Sequence, residues 1–137
     1  MSLQGLQELR VLKLYFTSPK LTSTTLLSLS IILLNNPLLI NLELMTLGSN
    51  MNDMGFTEIA KAIRTLRNLT VLGLNLSQTK FSLNGLSELR LAIQELNKLY
   101  YFKINLTQTA LTEMDLQKLA QDIKYLPYTR ANVFWNY

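Results

Sequence analysis

A short apolar pattern recurs along the chain at a fixed step of 30 residues. The four segments that carry it are LRVLKLYF, LINLELMT, LTVLGLNL and LYYFKINL. In each segment apolar residues alternate with other residues over a few positions, which is typical of a β-strand with one buried face. The corresponding positions are Leu12, Leu42, Leu72 and Phe102, and then Leu14, Leu44, Leu74 and Ile104. The pattern therefore predicts four equivalent strands in four repeated units.

The second half of each unit carries a helical pattern. Its apolar positions fall close to 3.6 residues per turn, which predicts an amphipathic helix. The corresponding residues are Leu26, Phe56, Leu86 and Leu116; Leu29, Ile59, Leu89 and Leu119; and Leu33, Ile63, Ile93 and Ile123. Residue types that cap a helix N-terminus precede all four predicted helices, at Thr22, Asn52, Ser82 and Thr112. Thr112 with Asp115 also approximates a capping box.

Strand, loop, helix and loop thus form one unit, which buries its apolar side only when neighbouring units stack on it. The L-x-x-L-x-L strands followed by helices resemble the leucine-rich repeat family, of the helix-bearing, ribonuclease-inhibitor-like type. The resemblance implies an α/β solenoid with a parallel sheet on its concave side and parallel helices on its convex side, in about four and a half repeats of 30 residues. We expect a single domain over residues 1–137, with repeats at roughly 9–38, 39–68, 69–98 and 99–128 and a closing strand at 129–137.

Two details of the repeat depart from the family. The family often places Asn after the strand, where its side chain binds the loop backbone, but the corresponding residues here are Thr17, Leu47, Ser77 and Thr107. We expect the hydroxyl groups to substitute in part. In the closing strand, the 30-residue step places Ala131 in the column of Tyr101 and Asn132 in a core column.

Composition argues against catalysis. With 48% hydrophobic and 16% charged residues the chain is not of the disordered class. It has no Cys and no His, so it lacks thiolate metal sites and the commonest general base near neutral pH. Dinucleotide-binding, Walker, zinc-protease and G-x-S-x-G motifs are also missing. We expect no enzyme activity, no cofactor and no metal, and we interpret Asp53 as a turn and cap residue.

The charge of +4 is spread over the chain. Its thirteen Lys and Arg residues include no run of three, so we do not expect nucleic acid as a partner. An RNA-contacting role stays an alternative, through Lys20, Arg64, Arg67, Lys80 and Lys98. Three Asn-x-Ser/Thr sequons, at Asn68, Asn75 and Asn105, are interpreted as chance.

No membrane segment or export signal is predicted. The most apolar stretch, nine residues from Leu26 to Leu34, is far shorter than the ~20 residues that cross a bilayer. The first ten residues lack a basic start followed by an apolar core. Without cysteine or an export signal, we expect an intracellular, cytoplasmic protein.

The first predicted helix carries an apolar stripe on its solvent side. Leu27, Ile31 and Leu34 lie at i, i+4 and i+7, whereas the same positions of the later helices are mostly polar. Leu3 and Leu6 resemble the tail of an earlier helix turn, so we expect the chain to begin inside a repeat with an uncovered end. We expect a protein partner at these five residues. Two alternatives are that the N-terminal segment folds over this helix and that the helix is rotated.

The concave face is the usual binding surface of the family that this chain resembles. Its candidate contact residues here are Tyr15, Met45, Asn75, Tyr101, Asn105 and Trp135. Aromatic side chains of this kind are enriched in binding hot spots, although they also suit an ordinary strand surface. Lys13 and Glu43 are expected to pair across neighbouring strands.

These features predict a non-catalytic protein–protein interaction module, a scaffold-like accessory or structural subunit of a larger assembly. A second protein on the concave face is a further expectation. The alternatives are a regulatory adaptor (an enzyme inhibitor, a ubiquitin-ligase substrate receptor or a GTPase regulator) and an RNA-contacting subunit of a ribonucleoprotein.

Overall fold

Strands and helices alternate along the chain. The computed structural model describes residues 8–16, 21–46, 48, 51–124, 126 and 130–134, and side chains at 130–134 are not part of the description. The elements are β1 (Val11–Tyr15), α1 (Ser23–Leu34), β2 (Asn41–Met45), α2 (Asp53–Arg64), β3 (Val71–Asn75), α3 (Leu83–Glu95), β4 (Tyr101–Asn105), α4 (Glu113–Lys124) and β5 (Arg130–Phe134). The predicted α/β class and the order of elements are confirmed. The single-domain division stays a prediction.

All five strands form one parallel sheet in sequence order. From β1 to β4 the register joins residues 30 positions apart, as in the pairs Leu12 with Leu42 and Leu72 with Phe102. Parallel neighbours need a crossover connection, and each intervening helix supplies one. The 30-residue step of the sequence is therefore the hydrogen-bonding register of the first four strands.

The last strand breaks this register by one residue. Tyr101 pairs with Arg130, and Phe102 pairs with Ala131. The prediction that Ala131 lies opposite Tyr101, with Asn132 in a core column, was therefore wrong. The step from Tyr101 to Arg130 is 29 residues, one fewer than the period. Because successive residues of a strand alternate between the two faces of the sheet, this shift exchanges the faces that were predicted for the residues of the last strand. The observed register places Asn132 in the column of the exposed Lys103 instead of the column of the buried Phe102.

The core lies between the sheet and the helices. The predicted apolar columns of α1 to α4 are buried, as are the inward residues of β2 to β4. Phe56 and Phe81 meet edge to face, with their ring centroids 4.8 Å apart. Leu12 and Leu14 of β1 are only partly buried against this core. Burial is therefore most complete in the middle units and weaker at the β1 edge.

The predicted caps are largely confirmed. Thr22 accepts a hydrogen bond from the backbone N–H of Thr25 at 3.3 Å, and Asn52 accepts one from Gly55 at 3.2 Å. Thr112 and Asp115 form the reciprocal capping box, with N···O distances of 2.9 and 3.2 Å. Three of the four capping residues thus satisfy a backbone donor of their own helix.

Ser82 is different, because its side chain makes no capping bond within α3. Its hydroxyl and its backbone N–H both donate to the carboxylate of Asp53 on α2, the latter at 2.8 Å. Asp53 thus binds the residue that precedes the following helix, a contact between units that the predicted local turn and cap role did not include.

Candidate interaction surface

Leu27, Ile31 and Leu34 form one exposed stripe on α1, called the α1 apolar face below. Their exposed fractions are 48%, 48% and 52%, while Leu26 and Leu33 of the same helix are fully buried. Helical periodicity produces both faces at once. The alternative of a rotated helix is therefore wrong. Residues 1–7, including the predicted contacts Leu3 and Leu6, lie outside the described part of the chain.

The residues equivalent to Leu34 and Ile32 in later units show what these positions of the helix contact. Arg64, which occupies the position of Leu34 one unit later, is hydrogen-bonded to Glu95 of the following helix. Asp122 of α4 is ion-paired with Arg90 of the preceding helix. The residue of α1 that corresponds to Asp122 is Ile32, which is partly buried. The α1 apolar face is solvent-exposed, whereas Ile32 occupies the position that Asp122 uses to contact the preceding helix.

The later helices present a different surface at the same positions. On α2, Lys61 pairs with Glu58 at 3.3 Å, and Arg64 pairs with Glu95. On α3, Leu91 is 45% exposed but its neighbours Ser87 and Gln94 are polar. On α4 the positions hold exposed Gln117, Gln121 and Lys124. Within the described residues, α1 is thus the helix that exposes three aliphatic side chains in one stripe.

Glu95 at the end of α3 is ion-paired with two arginines, Arg64 of α2 and Arg67 of the loop that follows α2. Besides its bond from Arg64, it accepts one from the Arg67 guanidinium at 3.0 Å, and its backbone carbonyl accepts another at 2.9 Å. The Arg64 hydrogen bond, together with the positive charge of both arginines, lowers the pKa of the Glu95 carboxyl below its ordinary value. The same pairing raises the pKa of Arg64.

This network bears on the RNA alternative. Arg64 and Arg67, two of its five cations, both pair with Glu95, whose single negative charge offsets one of their two positive charges. Lys98 donates to Asn68 at 2.9 Å, Lys80 is exposed, and Lys20 lies outside the described residues. A phosphate track needs several unpaired cations in a row, and these side chains do not supply one.

The sheet face that points away from the helices carries the second predicted site. Tyr15 is 65% exposed, and Met45 and Tyr101 are partly buried. The predicted pair of Lys13 and Glu43 is confirmed, with an N···O distance of 3.2 Å. Tyr15, Met45, Asn75 and Asn105 share one column across four strands, because their Cα atoms are register partners. The register places Phe134 opposite Asn105, and the predicted contact Trp135 lies outside the described residues.

Asn75 and Asn105 have a structural role in the loops after their strands. The side-chain oxygen of Asn75 accepts from the N–H and the hydroxyl of Ser77 at 3.1 and 2.6 Å. The side-chain oxygen of Asn105 accepts from the N–H of Thr107 at 3.0 Å. These asparagines therefore bind the loop N–H groups of Ser77 and Thr107, the residues whose hydroxyls were expected to substitute for the family's Asn.

The sequence does contain a signal for these two turns, which is the Asn-x-Ser/Thr spacing. Asn-x-Ser/Thr was treated as a chance glycosylation motif at Asn75 and Asn105. The same spacing suits an Asx turn, in which the side chain accepts from the backbone two residues later. Both asparagines are partly buried, so their availability to a partner is smaller than the sequence suggested.

Comparison with known proteins finds no match for this chain. No protein-family model matches it, and no curated protein matches it. Among the described residues, no group of three acidic, His or Cys side chains is placed to hold a metal ion. The helices in those same ranges are all too short or too polar to cross a membrane.

Proposed function

We propose that this chain is a non-catalytic protein–protein interaction module, built as a leucine-rich-repeat solenoid of the ribonuclease-inhibitor-like type. It binds a protein partner through the α1 apolar face and acts as an accessory or structural subunit of an assembly. The observation that carries the proposal is the exposure of Leu27, Ile31 and Leu34 at positions that are mostly polar in α2 to α4.

The repeat part of the proposal is supported by the backbone. The 30-residue register extends beyond the strands into the loops, where the N–H of Gly48 donates to Ser77 and that of Gln78 donates to Thr107. Gly48, Gln78 and Gln108 occupy the same position in successive units, and all three have a positive φ, of 67°, 56° and 56°. Recurrence of an uncommon backbone conformation at one position supports a true structural repeat.

The free energy gained by burying the α1 apolar face indicates whether this face alone can hold a partner. Complete burial of an exposed Leu or Ile is worth about 1.5–3 kcal/mol, so three half-exposed side chains contribute about 2–5 kcal/mol. Association costs at least about 4 kcal/mol in lost rigid-body freedom. The α1 apolar face therefore needs further contacts for a stable complex. The sheet face with Tyr15 and Tyr101 is the second contact in this proposal.

The test compares the assembly state of matched variants by analytical ultracentrifugation. We expect the natural chain to self-associate as its concentration rises, because an uncovered aliphatic stripe also binds other copies. The double variant Leu27→Lys with Ile31→Glu should be monomeric with an unchanged circular dichroism spectrum. The control is Ser87→Lys with Leu91→Glu, which places the same charges at the equivalent positions of α3 and should leave self-association in place.

Two results would contradict the proposal. One is a natural chain that stays monomeric at high concentration and gains no solubility from the α1 substitutions. The other is an equal effect of the α1 and α3 substitutions, because a general gain in surface charge would then explain it.

A further inference from the structure

An open cleft crosses the sheet at the end where its strands begin, and it includes none of the residues of the α1 apolar face. Its volume is about 320 Å³, which lies at the small end of the range for ligand sites. It is lined by Arg10, Leu38, Ile40, Asn68, Thr70 and Lys98. Arg10, Ile40 and Thr70 immediately precede β1, β2 and β3, so the cleft runs across successive strands and not along one of them.

Backbone hydrogen bonds fix the floor of this cleft. The carbonyl of Arg10 accepts from the N–H groups of Ile40 and Asn41 at 2.8 and 3.1 Å. The carbonyl of Ile40 accepts from Thr70 and Val71 at 2.8 and 3.0 Å, and from the Thr70 hydroxyl at 3.0 Å. These bonds, two to the Arg10 carbonyl and three to the Ile40 carbonyl, order the floor before a ligand binds, which reduces the entropy lost on binding.

The cleft has a cation at each end and aliphatic side chains between. The Arg10 guanidinium donates to the carbonyl of Glu8 at 3.3 Å, and the Lys98 ammonium donates to Asn68 at 2.9 Å. Both acceptors are neutral oxygens, and none of the six described lining residues carries a carboxylate. Leu38 and Ile40 are 37% and 40% exposed. A ligand that carries two negative charges and an apolar group between them would therefore complement this lining.

Strand spacing sets the separation of the backbone positions that carry the two cations. Arg10 immediately precedes β1 and Lys98 lies three residues before β4, so the two positions are three strand steps apart. Neighbouring strands are ~4.8 Å apart, which separates these backbone positions by about 14 Å across the sheet. An extended peptide rises ~3.3 Å per residue and directs residues i, i+2 and i+4 to one side, so i and i+4 are about 13 Å apart.

We propose that this cleft binds an extended acidic peptide segment of a partner protein, with acidic residues at i and i+4 and an aliphatic residue at i+2. The carboxylates pair with Arg10 and Lys98, and the aliphatic side chain covers Leu38 and Ile40. An acidic peptide fits better than a nucleic acid. A polyphosphate backbone would place charged groups over the two aliphatic side chains and would find no cation there.

The probe is the peptide Ac-Gly-Glu-Ser-Leu-Ser-Glu-Gly-NH2, added to the isotope-labelled full chain and followed by two-dimensional NMR. We expect shifts of backbone amides at the six lining residues and their immediate neighbours, and weaker binding as salt is added. Arg10→Gln and Lys98→Gln should each lower the affinity about two- to fivefold, which is the range for exposed ion pairs. Lys118→Gln removes an exposed lysine of α4 and is the matched control that should change nothing.

The peptide with both Glu replaced by Gln tests the charges without altering the protein, and it should bind more weakly than the acidic one. Equal binding of the two peptides, shifts away from the cleft, or no binding would overturn the proposal. So would a uridine oligonucleotide that binds the same residues more tightly than the peptide. The variant Leu27→Lys with Ile31→Glu should keep full peptide affinity, so failure at one surface is separable from failure at the other.

Discussion

Asp53 at the start of α2 accepts hydrogen bonds from both the backbone N–H and the hydroxyl of Ser82, the residue that precedes α3. The capping group of one helix is thus supplied by the preceding helix. This relationship links two neighbouring units through their helix N-termini, where unpaired backbone donors favour a negative charge. It adds a polar contact to the apolar packing between α2 and α3.

Replacing Asp53 should therefore weaken the joint between two units. We expect Asp53→Ala to lower the free energy of unfolding by about 1.5–3 kcal/mol, the usual range for hydrogen bonds to a charged group. Chemical denaturation measures this change. Glu113→Ala is the control, because Glu113 occupies the same position of α4 but is exposed, and its effect should stay within about 0.5 kcal/mol. Equal losses for both variants would contradict the link.

Gly85 allows close packing at the N-terminus of α3. A Cβ atom there would lie 2.6 Å from Cε2 of the buried Phe81 and 2.8 Å from Oδ1 of Asp53. In most helix interiors Gly→Ala is stabilising by up to about 1 kcal/mol. Here we expect Gly85→Ala to be destabilising by about 1–3 kcal/mol, as for overpacked cores.

Gly55 supplies a graded comparison for that substitution. A Cβ atom at Gly55 would lie 2.6 Å from Cδ1 of Leu26, the far end of a side chain that has other rotamers. Gly55→Ala should therefore lose less stability than Gly85→Ala in the same thermal denaturation experiment. The reverse order would show that the ring of Phe81 yields more easily than this geometry implies.

The loop position with positive φ predicts opposite effects for two substitutions. Gly48→Ala should be destabilising by about 1 kcal/mol, because a side chain disfavours φ of 67° even though the nearest atom to its Cβ is 3.7 Å away. Gln108→Gly relieves the same backbone strain at φ of 56° and should leave stability unchanged or raise it by up to about 1 kcal/mol. Equilibrium unfolding in urea measures both, and a loss of stability in Gln108→Gly would argue against strain at this position.

The Glu95 network predicts a pH dependence of stability. The pKa of Glu95 is lowered in the folded chain below its ordinary value of 4.5. Its contribution is thus present above that value and is lost as the pH falls through the folded pKa. Glu95→Gln should therefore melt below the natural chain at pH ~7, and the difference should shrink toward pH ~3. A difference in melting temperature that stays constant over this range would contradict the assignment, and added salt should also reduce it.

Much of the fold could be predicted because each unit repeats the same pattern of apolar and capping residues. The apolar columns at Leu26, Leu29 and Leu33 gave a helix whose buried face the structure confirms. The caps at Thr22 and Thr112 were predictable because capping is local, within three residues along the chain. The Lys13–Glu43 pair followed from the period alone, since a parallel register places equivalent positions side by side.

The candidate surfaces were less predictable. The sequence identified the stripe of Leu27, Ile31 and Leu34, but the exposure of all three side chains was established only by the packing of α1 in the folded chain. The roles of Asn75 and Asn105 were missed because an Asx turn and a glycosylation motif share the same spacing. The cleft at Arg10 and Lys98 was also missed, since its residues lie about 90 positions apart in the sequence and become neighbours only across stacked strands.

By itself the sequence determined the alternation of strands and helices, the residues that each element buries, and the register of the first four strands. These properties depend on periodicity and on interactions within a few residues, and the same local pattern recurs in each of the four 30-residue units. Tertiary structure alone decided the shifted register of β5, the bond of Asp53 to the next unit and the pairing of Arg64 and Arg67 with Glu95. Such contacts depend on which side chains meet across units, and that is set by the packing of the whole stack rather than by any single segment.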